Sequence, residues 1–303
     1  MGGLPLVNSV EIEDTFSEAF PMWFCRIMIT AVDEKWALTA AQAATGFASS
    51  IIASPAEAAI EKTVPPGETP DKRPGCIIQI YHRYRTNLRA QMTARLGQCV
   101  LTCPTTAAFN ALPETKRRAK IGKSLSQFGD GYAERAVIYG REVWRIPVME
   151  GEFIVEETFG LKKGVAGGMF LILAKESGAG LRAAEEAAKA ARTVEGVALP
   201  FPGGVCRSGS KVGSRKYKLG ASTNDPFCPT LRGKIEGSLV PEGVESVYEI
   251  VINGINQDRV REAMSRGIKA ATQVEGVVKI TSSNYGGKLG PYKIRLRELV
   301  LTD

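Results

Sequence analysis

The chain of 303 residues predicts an α/β (α+β) fold of two ferredoxin-like split βαβ lobes related by internal duplication. Three observations carry that expectation: a strand-like segment recurs, an alanine-rich helix follows each copy, and a further strand–helix–strand unit closes each half. The recurring segment is Val10-Glu11-Ile12-Glu13-Asp14-Thr15-Phe16, echoed by Phe153-Ile154-Val155-Glu156-Glu157-Thr158-Phe159 at an offset of 156 − 13 = 143. The division that follows is residues 1–150 for an N-terminal lobe with a connecting segment, and 151–303 for a C-terminal lobe.

Each copy leads through a turn to an apolar strand, Arg26–Thr30 in the first half and Met169–Leu173 in the second. Alanine-rich helices come next, Lys35–Thr45 and Gly180–Val194, because alanine gives up no side-chain entropy in a helix. Gly46 and Gly196 mark their ends. The uncharged run Ala37–Ala56 is broken by Gln42, Gly46, Ser49 and Pro55, so it reads as a buried helix turning into a strand and not as a membrane span. The closing unit of the first half is Cys76–Ile80, a helix Thr86–Leu96 and a strand Cys99–Thr102. In the second half it is Tyr248–Ile252, a helix Gln257–Thr272 and a strand Val277–Ile280. Residues 116–151, with Gly129-Asp130-Gly131 and Gly140, read as turns and short strands joining the lobes.

Composition is that of an ordinary globular protein, 44% hydrophobic and 23% charged. The excess of 39 Lys+Arg over 32 Asp+Glu gives a net charge of +7, which favours anionic partners. The cations are scattered and little interleaved with aromatics, which disfavours nucleic acid. Six cysteines without a CxxC pair read as reduced thiols of a cytoplasmic protein. With His82 as the one histidine, a metal site is not expected, and most Ser-His-Asp and Cys-His catalysis is excluded. The opening MGGLPLVNSVEIEDT lacks the basic-then-apolar layout of a secretory signal, and Gly2 lacks the serine or threonine that acylation prefers at position six. Ile121-Gly122-Lys123-Ser124 ends like a phosphate-binding loop, yet Arg117 stands where its first glycine belongs. Gly164-Val165-Ala166-Gly167-Gly168 fails the dinucleotide spacing and reads as a tight entry into a strand.

Two features are left for chemistry. Phe201–Lys218 reads FPGGVCRSGSKVGSRKYK, a run of glycines, serines and cations without matching carboxylates. Glycines permit close backbone approach, and serines, amides and cations grip an anionic small molecule. Glu249 interrupts the apolar Val247–Ile252 and shares a strand face with Val247 and Val251. Such a carboxylate lies either on a solvated sheet face or in a cleft, where desolvation suits it to acid–base work. Gln79 is expected at the comparable place of the first lobe.

VEIEDTF, ATGFASS, PAEAAIE, ETPDKRPG, GQCVLTCPTTAAFN, FGDGY, GVAGG, PFPGG, SGSKVG, STND, VYEIVING and GGKLG occur in this order from Val10 to beyond Lys288. Together they resemble the formylmethanofuran:tetrahydromethanopterin formyltransferases over essentially the whole chain. The resemblance implies reversible formyl transfer between the amine of methanofuran, or a methanofuran-like carrier, and N5 of tetrahydromethanopterin. Both carriers would be co-substrates, with no metal and no tightly bound cofactor. It implies a two-lobed subunit in a homotetramer, a dimer of dimers, with a formylmethanofuran hydrolase or dehydrogenase complex as a further partner and no nucleic acid or membrane. The glutamate of VYEIVING, here Glu249, corresponds to the catalytic acid–base. Ser208, Ser210 and amides near Pro202-Gly203-Gly204 and Gly209 are then expected to polarise the carbonyl, with Lys211, Asn224 and Arg207 holding substrate groups. The chain departs from the family pattern at Lys72, Met169 and Arg207. Two alternatives stay open at this level: a non-catalytic subunit of a formyltransferase/hydrolase complex, and a formyltransferase for another amine acceptor.

Overall fold

The computed structural model describes residues 6–301, so Gly2 lies outside them. Packing gathers the chain into two compact units, one of residues 22–164 and the other of residues up to Pro21 with those from Val165 onward.

In the unit 22–164, four strands carry the lobe: Phe16–Thr30 (from Met22), Glu57–Val64, Gly75–His82 and Ala107–Asn110. The fourth lies antiparallel to the first, the first to the third, and the third to the second. That is the strand order of the split βαβ fold. One sheet face presents Cys25, Ile27, Ile29, Ile78 and Ile80 to Ala37, Ala40, Ala41 and Ala44 of the helix Glu34–Thr45 and to Leu88 and Met92 of the helix Arg85–Arg95. Asp33 caps the first helix, its carboxylate accepting from the Trp36 N–H at 2.9 Å. Gly46 does not end it in a left-handed turn; its φ is −66°. The guanidinium of buried Arg95 instead donates to the carbonyls of Ala44 (2.6 Å), Gly46 (2.9 Å) and Phe47 (3.4 Å).

Three local expectations for this unit are corrected. Cys99–Thr102 is not a strand: Leu96–Val100 continues the helix as a π turn, and the strand begins at Ala107. Leu96 and Val100, four residues apart, are both fully buried, so helical burial overrides the β propensity of Cys-Val-Leu-Thr. The run after Ala37 leaves its helix at Thr45 and enters a strand only at Glu57. The connecting segment holds a short helix, Ile121–Ser126, besides the hairpin Glu134–Ile138 and Arg141–Val148.

The second unit repeats the plan. Its strands Lys162–Ala174, Val197–Ala198, Ser246–Gly254 and Val277–Thr281 pair in the same antiparallel order. Phe170, Ile172, Ile250 and Ile252 face the helices Ser177–Arg192 and Gln257–Ala271, which present Ala183, Ala187, Ala191, Val260, Met264 and Ile268. The first of these helices starts at Ser177, ahead of Gly180.

The leading segments exchange partners. Val10–Ile12 runs parallel to Val277–Thr281, and Phe16–Ala19 pairs with Tyr292–Arg295. Gly151–Glu156, the echo of Val10–Ile12, runs parallel to Ala107–Asn110 in the unit 22–164. The duplication therefore extends to the added parallel strand, while the chain order of the halves and the packing units are offset by these segments.

The lobes differ most between their second and third strands. Residues 65–74 make that link in one lobe and residues 199–245 in the other. This excursion lays Phe227, Val240 and Val244 on the helix-free sheet face, against Met169, Leu171, Leu173, Val247 and Val251. A face that would otherwise be wetted becomes a second small core.

Candidate active site

Glu249 sits on that covered face. In the strand Ser246–Gly254 its backbone pairs on one side with Leu171. On the other it exchanges two hydrogen bonds with Cys206, Cys206 N–H to Glu249 carbonyl at 2.8 Å and Glu249 N–H to Cys206 carbonyl at 3.0 Å. The side chain enters a cavity of about 320 Å³ lined by Leu171, Cys206, Arg207, Ser208, Asn224 and Phe227, among others. Glu249 is half-buried, keeping contact with the cavity while protein packs closely around it. Desolvation pushes its carboxyl up to about 7, and a hydrogen bond from the Cys206 thiol acts in the opposite direction. Of the two environments open to this carboxylate, the cleft is the one it occupies.

Close packing of helix on strand brings this segment into place. Gly180 lies in the helix Ser177–Arg192, and a Cβ there would meet the Ser246 hydroxyl and stand 3.1 Å from the Tyr248 ring. Ser246 fastens the same approach, donating to the Glu176 carbonyl at 2.9 Å.

The residues expected to bind substrate divide into two groups. Arg207, Ser208, Gly209 and Asn224 line the cavity with Glu249. Gly209 has φ +58°, and a Cβ there would stand 3.1 Å from the Asn224 Cβ, so the turn that brings these two together needs glycine. Pro202, Gly203 and Gly204 form a tight turn outside the lining, with the Gly204 N–H donating to the Phe201 carbonyl at 2.8 Å. Ser210 is exposed outside the lining. Lys211 also lies outside it, its ammonium bound to the Asp225 carboxylate, which pairs as well with Arg215 at 3.2 Å.

Cys206, Phe227 and Tyr248 belong to the cavity and were not singled out from the sequence. Cys206 stood in view between PFPGG and SGSKVG, but its partner is forty-three positions on, at 249 − 206 = 43. Gln79, expected to match Glu249, does not. The lobes' first helices begin at Glu34 and Ser177 (177 − 34 = 143) and their second at Arg85 and Gln257 (257 − 85 = 172). These offsets carry Met28 onto Leu171 and Ile77 onto Glu249, and Met28 pairs with Ile77 as Leu171 does with Glu249. Gln79 serves a buried network instead: its amide donates to Glu61 at 2.6 Å, and Glu61 holds the Arg26 guanidinium with both oxygens. The first lobe thus has isoleucine where the second has its carboxylate.

Among the described residues, no three His, Cys, Asp or Glu side chains gather as a metal site requires, and no helix is long and apolar enough to cross a membrane.

Known proteins resemble the chain along nearly all its length. Two family models match, formylmethanofuran-tetrahydromethanopterin formyltransferase over residues 6–148 and the formyltransferase proximal lobe over residues 151–299. The formylmethanofuran–tetrahydromethanopterin formyltransferase of Methanocaldococcus jannaschii is 57% identical, covering 97% of this chain and 99% of that protein. That of Archaeoglobus fulgidus is 53% identical, with the same coverage. The solved formyltransferase of Methanosarcina barkeri superposes with a TM-score of 0.94 at 49% identity, over 97% of this chain and 100% of the other. A chain of the formyltransferase/hydrolase complex of Methylorubrum extorquens, solved with methylofuran, superposes with a TM-score of 0.94 at 42% identity, over 98% and 99%. The chain belongs to the formylmethanofuran–tetrahydromethanopterin formyltransferase family.

Proposed function

We propose that this protein moves a formyl group reversibly between methanofuran, or a methanofuran-like carrier, and N5 of tetrahydromethanopterin, with Glu249 as the proton-transfer group. The observation that carries the site assignment is a half-buried carboxyl in a cavity it shares with Arg207, Ser208 and Asn224; desolvation pushes it up to about 7, where it both takes and gives a proton at neutral pH.

The reaction is an attack of one amine on a formyl carbonyl and the departure of another. The N5 nitrogen bonds to the carbonyl carbon of formylmethanofuran, and the carbonyl oxygen becomes an oxyanion. Ionised Glu249 removes the proton from N5, then returns it to the methanofuran nitrogen as the C–N bond to that nitrogen breaks. Proton and charge balance within the ternary complex, so no covalent enzyme intermediate is needed. Holding two carriers in register supplies roughly 7–11 kcal/mol of the barrier reduction. A positioned acid–base adds about 10²–10⁴-fold, and one oxyanion donor about 3–4 kcal/mol. Arg207, Ser208 and Asn224, which share the cavity with Glu249, orient substrate and face the oxyanion. Pro202, Gly203, Gly204, Ser210 and Lys211 shape and anchor the loop that presents them.

The same proposal has the protein work in the cytoplasm as a homotetramer, with both carriers as co-substrates and no tightly bound cofactor, as the family resemblance implies. A second reading, service within a formyltransferase/hydrolase assembly, is supported by the likeness to the Methylorubrum extorquens complex. It adds a partner without changing the chemistry.

The direct test is to incubate the purified protein with formylmethanofuran and tetrahydromethanopterin and to follow formyl-tetrahydromethanopterin by its absorbance. Catalysed, protein-dependent transfer in both directions is expected. Absence of transfer, with the protein folded, would contradict the enzymatic reading and favour a structural subunit.

A further inference from the structure

Cys206 is joined to Glu249 more closely than a lining residue need be. Their backbones form an isolated two-bond antiparallel bridge, which places the two residues directly opposite each other. Side chains of such a pair share a face, with Cβ atoms roughly 5 Å apart. The thiol is buried. The Ser208 hydroxyl lies 3.5 Å from its sulfur. The thiol thus lies across the bridge from Glu249, on the same face and in the same cavity, where its single proton can be given to the carboxylate.

Desolvation is the larger influence on the Glu249 carboxyl, and the Cys206 thiol opposes it. The neighbouring strand presents Leu171, which is apolar. Besides Cys206 and Glu249, the charged and titratable groups lining the cavity are Arg207 on the 206–209 segment, Cys228 on the 224–230 segment, Glu245 just before the strand and Tyr248 within it. Asp225, next to Asn224, is committed to Lys211 and Arg215. Burial and the Cys206 thiol are the two influences that reach the Glu249 carboxyl, burial favouring its neutral form and the thiol its ionised form.

Resting on the proton-transfer reading of Glu249, we infer that Cys206 is a positioning residue: its thiol hydrogen bond aims the Glu249 carboxyl and sets the pH at which that carboxyl exchanges its proton. A serine at this position keeps an O–H donor, and an alanine removes the donor while the backbone bridge remains. A thiol acts here as a mild donor, which leaves the carboxyl poised near 7 with both its forms present at neutral pH.

The test follows the Glu249 carboxyl directly, by infrared difference titration of the substrate-free enzyme with Glu249→Gln as reference. It runs alongside kcat over the same pH range. Cys206→Ala is expected to raise both the carboxyl midpoint and the acidic limb of kcat by about one pH unit, the effect of losing one hydrogen bond to a charged group. Cys206→Ser is expected to restore both. In the unsubstituted enzyme the Cys206 S–H stretch, identified by its loss in Cys206→Ser, should shift as Glu249 titrates. This last reading stands even if the alanine variant fails to fold. An S–H stretch indifferent to pH, or a carboxyl midpoint unmoved in folded Cys206→Ala, would overturn the inference. A midpoint that moves while the kcat limb stays fixed would support the hold of Cys206 on Glu249 and contradict the catalytic role of Glu249 itself.

Discussion

Glu249 stands among valines on its strand face, where it interrupts an apolar run, and both that interruption and the VYEIVING motif made it conspicuous. Its environment was not legible in the same way. Whether such a face is wet or covered depends on residues 199–245, whose return over the sheet no local pattern announces. Cys206 was hidden for a related reason, since its role depends on a cross-strand partner. The raised carboxyl has a consequence for stability. Because the folded form holds its proton more tightly than the unfolded chain, Glu249 contributes stability that is full below its ordinary value near 4.5 and is lost as pH rises through about 7. Glu249→Gln should therefore raise Tm at pH 8 relative to the parent and do so much less at pH 5. Calorimetry at the two pH values checks this, and an equal effect at both would remove the desolvated carboxylate from the account.

At the scale of elements, the alanine helices, the glycine turns and most strands were readable from spacing, because one buried face dictates each pattern. The segment 96–102 was not, because its β-like residues belong to a helix continuation that only tertiary burial of Leu96 and Val100 sustains. Gly46 was legible as a stop but not as a stop finished by Arg95 from another helix. Replacing Arg95 by Ala leaves the buried Ala44 carbonyl without this donor and empties a buried side-chain site, and should cost about 2–4 kcal/mol in urea unfolding; a change below about 0.5 kcal/mol would show that water serves equally well. The loop carrying Lys211 and Arg215 is tied down by Asp225, whose carboxyl lies below its ordinary range through the Lys211 hydrogen bond and the charges of Lys211 and Arg215. Asp225→Asn should speed tryptic cleavage at exposed Lys216 and Lys218 by roughly tenfold, the effect expected when a local opening is eased. Unchanged cleavage would mean that the hairpin Lys211–Val212 with Ala221–Ser222 holds without this anchor.

For the molecule as a whole, the duplication was visible in recurring segments, and the shared strand order of the two lobes accounts for it. The exchange of leading strands was not visible, because sequence similarity shows that two segments are alike and not which edge each will join. A fragment of residues 151–303 would lack Val10–Ile12 and Phe16–Ala19, leaving Val277–Thr281 and Tyr292–Arg295 with open edges. Such a fragment should show no cooperative urea transition by circular dichroism, whereas a sharp transition like that of the full chain would make the exchanged strands dispensable. The candidate site falls where the two lobes cease to match, in the long excursion and in the carboxylate whose counterpart in the first lobe is Ile77. Central to this account is proton transfer by that carboxylate, and its most direct test is the single-turnover formyl-transfer rate of Glu249→Gln with both carriers saturating. A fall of at least about 100-fold is the predicted result, and a rate near that of the parent would contradict it.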